Sequence, residues 1–464
     1  MRLVSRMVNY FFFCVIFLLI SLITYSQENS PFSRYGIGDI YPQQSIASRG
    51  MGGFSAAYAN SQAINTINPA SYGSLGLVTY DFALTIDVRS LVSATPVSKY
   101  KSTNFIPSYL QIGVPINKKG LGMAFGLRPA TRINYSVIKN STITYQDLTT
   151  DSVQQLFEGN GGLNQVFLGL GKIWRNKKRP ANSFSIGFNG GYEWGTKFTS
   201  TKINFPDHPP AENWYASNST DSTHYGGFFL NPGLMLSFIL KERTDPVSKI
   251  KDAYVLVLGG SGMLEQNLNA KNDITRQTVF YREDGAVIPL DSVYKESGIK
   301  GKINIPLTFN GGFMLNKMVA NGPFETKKWG IGVEYNFTPW SKYRYFGLPD
   351  QVNDSWMIRG GIEWSPNPFS SRSVFGSGIY RIGYYNGKDY INADGNGYKM
   401  QAFTVGYSFN LRRYHSYDKQ FTMINTAIEF GKRGSGVNNI TENFIKFSLG
   451  LSLSDIWFIK RKYD

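Results

Sequence analysis

From residue 77 onward, apolar and polar side chains alternate in long runs. Val78, Tyr80, Phe82, Leu84, Ile86 and Val88 alternate with Thr79, Asp81, Ala83, Thr85 and Asp87. Trp329, Ile331, Val333, Tyr335 and Phe337 alternate with Gly330, Gly332, Glu334 and Asn336, and Ile445, Phe447, Leu449, Leu451 and Leu453 alternate with Lys446, Ser448, Gly450, Ser452 and Ser454. A period of two is the signature of a strand. A wall with hydrocarbon on one side and small or polar matter on the other imposes this pattern over about ten residues at a time. The pattern predicts about fourteen strands, at 77–88, 106–116, 120–137, 164–173, 183–200, 225–240, 253–263, 301–315, 329–337, 355–364, 378–386, 399–411, 420–432 and 443–456. The fourth, sixth and seventh are drawn least sharply; 234–240 and 255–258, for example, are continuously apolar. Short links at 117–120 and 365–368 alternate with longer polar stretches around 138–163, 201–224, 264–300 and 338–354, which read as loops. The expected fold is all-β: a transmembrane antiparallel β-barrel of about fourteen strands in a bacterial outer membrane. Short turns on one side and an even strand count place both termini in the periplasm. Trp174, Trp364 and Trp457 fall at one set of strand ends and Trp340 and Trp356 near the other, as two interfacial aromatic belts require.

The first residues read as an export signal. Arg2 and Arg6 precede an apolar run at 10–25, and Thr24-Tyr25-Ser26 offers a cleavage site before Gln27. The lone cysteine, Cys14, lies inside this segment, so neither a disulfide nor a lipid anchor on cysteine is expected after cleavage. The division is therefore 1–26 signal peptide, 27–76 N-terminal hatch and 77–464 barrel. Residues 27–76 do not alternate, yet they carry aromatics and glycines and little charge, which suits packing in a confined lumen better than a solvated tail. Arg34, Asp39, Arg49, Gly50, Gly52, Gly53, Asn68 and Pro69 are its notable residues.

Composition narrows the function classes. The chain has 464 residues, a formal net charge of +16, 17% charged and 15% aromatic residues, and a mean hydropathy of −0.23. That is too polar for a helical membrane bundle and too aromatic for a disordered chain. The basic residues sit in short runs beside turns or chain ends, such as Lys118-Lys119, Lys177-Lys178-Arg179 and Lys460-Arg461-Lys462, and form no stripe that reads as a nucleic-acid surface.

Little in the chain suggests catalysis. The three histidines, His208, His224 and His415, fall in loops or turns; His208 and His224 lie near Asp207 and Asp221 but read as solvated residues and not as metal ligands. No catalytic triad order, phosphate loop or deaminase signature is present. The expectation is no enzyme, no catalytic residue, no metal and no cofactor. Asp81, Asp87, Glu193, Glu334, Arg359, Glu363, Arg381 and Glu429 fall on lumen-facing positions and read as structural partners for hatch residues such as Arg34, Asp39 and Arg49.

The N-terminal stretch, with Arg49-Gly50-Met51-Gly52-Gly53 and Asn68-Pro69-Ala70, resembles the hatch of the FadL/PorV family of outer-membrane proteins, and the ending Trp457–Asp464 resembles the secretion-associated PorV-like branch. The resemblance implies a fourteen-stranded barrel with an N-terminal hatch. It also implies two jobs: passage of hydrophobic molecules sideways into the membrane, or partnership in an outer-membrane machine such as type IX secretion. Family members open a lateral window at a disruption of the third strand. Pro129 interrupts the third strand here before the pattern resumes at Ile133, Tyr135 and Val137, so it marks either such a window or a simple bulge near the rim. Loop 338–354 carries Trp340, Tyr343, Arg344, Tyr345 and Phe346, an aromatic and basic cluster suited to an external protein contact. The expected partners are outer-membrane lipid, other outer-membrane or periplasmic proteins and a hydrophobic ligand. The reading that follows is a partner or scaffold subunit of a secretion or barrel-assembly machine, with FadL-type transport of hydrophobic small molecules as the alternative.

Overall fold

The structure, a computed structural model, describes residues 30–455 apart from 147–148, 209–214, 245, 247–249, 282–286, 322–323, 368–373, 394 and 412–420. The predicted signal segment with Cys14, the turn residue His415, and the ending at 457–464 with Trp457 lie outside the described residues.

Fourteen antiparallel wall strands follow one another around a closed barrel: β1 (Val78–Ser93), β2 (Ser98–Asn117), β3 (Leu121–Thr144), β4 (Thr150–Arg175), β5 (Ser183–Asn204), β6 (Ala216–Thr244), β7 (Lys251–Met263 continuing as Gln266–Tyr281), β8 (Val287–Ile305 continuing as Thr308–Asn321), β9 (Phe324–Thr338), β10 (Ser355–Trp364), β11 (Ile379–Lys388), β12 (Lys399–Leu411), β13 (Phe421–Arg433) and β14 (Ile440–Asp455). Both segments of β7 pair with β6, Ser261 opposite Gly233 and Ala270 opposite Tyr225, so they form one wall strand with a break at 264–265. The two segments of β8 pair with those of β7 in the same way. Closure comes from β14 lying antiparallel to β1, with Ile445 opposite Val88 and Leu453 opposite Tyr80.

Alternation places side chains as a lipid-facing wall requires. Phe82, Val88, Ile445, Phe447 and Leu449 are exposed on the outside, whereas Asp81, Thr85, Asp87, Lys446, Ser448 and Ser452 are buried inside. Trp174 and Trp364 are exposed at the ends of β4 and β10.

Three stretches expected to be loops are largely strand. Residues 138–163 complete the β3–β4 hairpin, 201–224 belong mostly to β5 and β6, and 264–300 to the long arms of β7 and β8. The reason is that these arms rise beyond the apolar band. With both faces polar, segments such as Ser217-Asn218-Ser219-Thr220-Asp221 lose the hydropathy alternation while staying in register with both neighbouring strands, and period alone cannot see them.

Residues 30–76 contact the inner face of the wall. Their aromatic and aliphatic side chains Phe32, Met51, Phe54, Tyr58, Ile64 and Tyr72 are all buried. Polar groups fasten them to the strands. Arg49 Nη1 donates to Thr85 Oγ1 (2.7 Å) and Ser448 Oγ (3.0 Å). The Ser55 and Ala56 amides donate to Glu334 Oε2 (2.6 and 2.7 Å). Asn68 Nδ2 donates to Leu234 O (3.0 Å), and Tyr72 OH to Asn189 Oδ1 (2.9 Å). The approach is so close that the wall must carry glycine there: a Cβ on Gly259 would collide with the Ala56 carbonyl, and one on Gly383 with the Gly52 amide. Gly383→Val should therefore cost several kcal/mol through overpacking against a backbone that cannot yield. Limited proteolysis of the folded barrel would read this as cleavage within 30–76, and an unchanged digestion pattern would refute it.

Candidate functional site: a parted wall and a central chamber

The β2–β3 ladder ends early. Leu110 opposite Leu127 is its last pair; above it, β2 residues 98–109 pair only with β1, and β3 residues from 128 pair only with β4 along the wall. Both strands carry a bulge where they separate. Ser108 is the extra residue between Pro107 and Tyr109 in β2, and Ala130 the extra residue between Pro129 and Thr131 in β3. Pro129 has no N–H to offer a neighbour, which favours loss of pairing at this point. A one-residue bulge also reverses the faces of everything beyond it. Ile133 and Tyr135, which continue the outward series by counting in twos, instead point inward and are buried, against Gly38 in the case of Ile133.

The N-terminal segment covers the parting from within. Asp39 and Ile40 form a two-residue strand antiparallel to Arg132 and Thr131. The Tyr41 amide donates to Ala130 O (3.0 Å), and Gln43 Nε2 to Pro129 O (2.8 Å). Ile40 is nevertheless 45% exposed. A small recess between Ile40, Tyr41 and Pro42 on one side and Ile106 and Ser108 on the other lies at this place.

Behind it is a chamber of about 310 Å³ lined by Ile37 and Asp39–Gln44, by Arg128, Gln165, Glu193, Asn231 and Gln266 of β3–β7, and by Trp356, Arg359, Tyr385, Met400 and Phe444 across the lumen. That volume falls at the small end of ordinary ligand cavities.

Charged groups hold the segment that covers the parting. Asp39 Oδ2 lies 3.0 Å from Arg89 Nη1 and its Oδ1 2.8 Å from Arg433 Nη1. Arg89 also meets Asp87 (2.8 Å) and Glu442 (3.5 Å), while Arg433 meets Asp389. Burial pushes the Asp39 carboxyl up, but Arg433, Arg89 and the Ser30 hydroxyl outweigh it and hold it well below the usual carboxylate range. The sign follows from linkage. A depressed carboxyl stabilises the folded state above its unfolded pKa, near 3.9, and loses that contribution only as pH falls below it toward the native value. The hydrogen-exchange protection factors at Gly38–Tyr41, taken against the intrinsic rate at each pH, should accordingly be flat from neutral pH down to about 5 and fall only in stronger acid; a fall already between neutrality and mild acid would contradict the pairing.

Of the remaining lumen positions read from the sequence, Glu334 binds the Ser55 and Ala56 amides and lies 3.5 Å from Arg359, and Glu429 lies 3.5 Å from Arg49. Glu363 joins Lys327 (2.5 Å), Arg381 (3.3 Å) and the Tyr58 hydroxyl (3.3 Å). Asp81 accepts from Gln111 and Ser452, both at 3.0 Å. Arg34 meets none of these carboxylates and lies instead over the Phe157 ring (4.8 Å). Arg89, Arg433 and Glu442 were not singled out from the sequence. Continuing the inward parity of β1, β13 and β14 one or two residues past the apolar run would have found them.

The aromatic cluster of loop 338–354 is not the exposed contact surface expected of it. Trp340 and Tyr343 are buried at 4% and 1% exposure, Trp340 packing at a tilt against Tyr390 with 4.7 Å between ring centroids. Arg344 spends its guanidinium on Ser341 O (2.8 Å) and Tyr343 O (2.7 Å). Arg344 and Tyr345 pair with Asn304 and Ile303, and Phe346, at a positive φ of 51°, packs beside them. The loop folds inward because the N-terminal segment offers it partners: the Gly36 amide donates to Asp350 Oδ2 (2.9 Å), and Tyr390 OH donates to Tyr35 O (3.1 Å). Trp340→Ala should cost about 3–5 kcal/mol, the range for emptying a buried aromatic site; a urea titration showing less than about 1 kcal/mol would place the indole outside the core.

His208 Nε2 lies 3.0 Å from Asp151, and no cluster of three metal-ligating side chains occurs among the described residues.

A model of the BamG family matches residues 7–464. Among solved structures, the P. putida toluene transporter TodX is similar at 14% identity and a TM-score of 0.54, over 90% of this chain and 99% of that one. A FadL homologue of Pseudomonas aeruginosa is similar at 10% identity and a TM-score of 0.52, over 91% and 99%. These likenesses show a FadL-type barrel fold; the PorV-like branch finds no support in them. No curated protein matches. With the family model spanning nearly the whole sequence, the chain belongs to the BamG family.

Proposed function

We propose that this barrel stands in a bacterial outer membrane with both termini periplasmic, that residues 30–76 act as a hatch, and that small hydrophobic or amphipathic molecules pass from the chamber into the bilayer between β2 and β3. The parting of β2 and β3 above Leu110 and Leu127 carries this reading, because a wall opened beside a chamber gives an apolar molecule a path that avoids the aqueous periplasm. The solved proteins of similar fold include a toluene transporter, which accords with that path. The test is uptake of N-phenylnaphthylamine by cells with an intact lipopolysaccharide leaflet. Expression of the barrel should raise the initial rate severalfold, and an unchanged rate ends the proposal.

A second reading, as partner subunit of a secretion or barrel-assembly machine, rests on a different observation. The arm of β8 at 287–305 pairs with β7 on one side, while on the other the described residues give it partners only near its base, Ile303 and Asn304 opposite Tyr345 and Arg344 and the Phe346 amide on Lys302 O; the arm also exposes Ile288, Leu290 and Val293. Free ladder edges recruit strands. Gentle purification that yields only a lone barrel would remove this reading and leave the first intact.

A further inference from the structure

The walls of the chamber ask for a particular kind of molecule. Across β3, β4 and β5, Arg128, Gln165 and Glu193 stand directly opposite one another in register. Their hydrogen bonds run one way. Arg128 Nε donates to Gln165 Oε1 (2.9 Å), and Gln165 Nε2 donates to Glu193 Oε1, so the series ends in an acceptor, Glu193 Oε2, which is buried and has no hydrogen-bond donor among the described residues.

Asn231 Oδ1 on β6 and Gln266 Oε1 on β7 are orphaned in the same way, as is Gln43 Oε1 on the N-terminal segment. For Gln43 and Asn231 the amide cannot simply be turned round. Gln43 Nε2 donates to Tyr41 O and Pro129 O, and Asn231 Nδ2 donates to Thr66 O (3.2 Å) and Ile67 O (3.4 Å), which fixes where each oxygen points. All four residues line the chamber, and Glu193, Asn231 and Gln266 are 1%, 5% and 2% exposed. Leaving several buried acceptors unmatched is costly, and each is met only by a hydrogen-bond donor.

We infer that the chamber binds a neutral amphiphile whose head bears hydroxyl groups, the hydroxyls donating to Glu193, Asn231 and Gln266 and the chain running past Ile40 toward the β2–β3 parting. A carboxylate head has only acceptors to offer these oxygens. An ammonium head is less suited than a hydroxyl one, because Arg128 already supplies a positive charge to Glu193 through Gln165. This inference rests on the passage reading for the direction of the tail, while the head preference stands on the chamber alone.

The test compares decane-1,2-diol, decylamine, decanoate and decane by calorimetric titration of the full barrel in an amine-oxide detergent, whose head carries no donor. The diol should bind at least about ten-fold more tightly than each of the others, as sites built to hydrogen-bond a hydroxyl discriminate. Asn231→Leu combined with Gln266→Leu should erase that margin. Equal affinity for all four, a preference for decanoate or decylamine, or no binding of any probe would overturn the inference, and the wild-type series decides it even if the double variant fails to fold. Uptake of N-phenylnaphthylamine is scored separately: uptake retained without a diol preference defeats the head assignment only, whereas a diol preference without uptake defeats the passage reading only.

Discussion

Ser108→Trp should reduce the uptake of N-phenylnaphthylamine by about ten-fold or more while the barrel still folds, since a step that gates passage responds to a single obstructing side chain. Ser108 is the extra residue of the β2 bulge, half-buried, and its hydroxyl lies 2.7 Å from Thr85 Oγ1. It borders the recess that also touches Ile40, Tyr41 and Pro42, residues that line the chamber as well. An indole brings roughly 200 Å² or more of apolar surface into a recess bordered by Ile106 and Ile40. The hydroxyl contact it sacrifices is a modest loss, about 1 kcal/mol, so the variant should retain its heat-modifiable migration on gels. Full uptake in a correctly folded Ser108→Trp barrel would mean that solute does not leave between β2 and β3.

Asp39→Ala should have the larger effect on structure. The substitution leaves Arg89 and Arg433 facing each other across the site that their shared carboxylate occupied, with Asp87, Asp389 and Glu442 still in place. Removing one member of a buried ion-pair network costs about 3–5 kcal/mol, because the remaining charges have been desolvated for a partner that is gone. The loss should fall on Ser30–Gln43, the stretch that lines β3 across the parting, and not on the wall ladders. Hydrogen exchange should rise by two orders of magnitude or more at Ile40 and Tyr41, which corresponds to about 3 kcal/mol, while amides of β9–β12 stay protected. Protection unchanged at Tyr41 would show that the Tyr41–Ala130 and Gln43–Pro129 hydrogen bonds hold this stretch without the ions. The same variant tests the chamber: with its cover loosened, single-channel conductance should increase, and an unaltered closed baseline would argue that Asp39 holds nothing that blocks ions.

Much of the wall was legible because hydrocarbon and packed polar matter act on alternate residues of one strand. Phe82 beside Asp81 and Ile445 beside Lys446 report the two environments directly, and the closed count of fourteen strands follows from runs of this kind. Arg49 and Asn68 of the N-terminal segment stood out through their glycine-rich and turn-forming surroundings, but their partners did not. Loop 338–354 misled because its aromatic content is the same whether Trp340 and Tyr343 face water or fold back on Tyr390. Ile133 and Tyr135 misled for a related reason, since one added residue at Ala130 inverts their faces without changing the composition of the run.

The sequence by itself determined which residues alternate, and hence a barrel wall, its strand number and the inward position of Asp81, Glu334 and Glu429, because each of these depends only on neighbours one or two places away along the chain. Tertiary structure alone decided that β2 and β3 part above Leu110, that Asp39 lies between Arg89 and Arg433, and that Glu193, Asn231 and Gln266 line one chamber. Those facts depend on which strands lie side by side once the ring has closed. Residues 394 positions apart then come within hydrogen-bonding distance, as Asp39 and Arg433 do, and no local pattern along the chain encodes such a meeting.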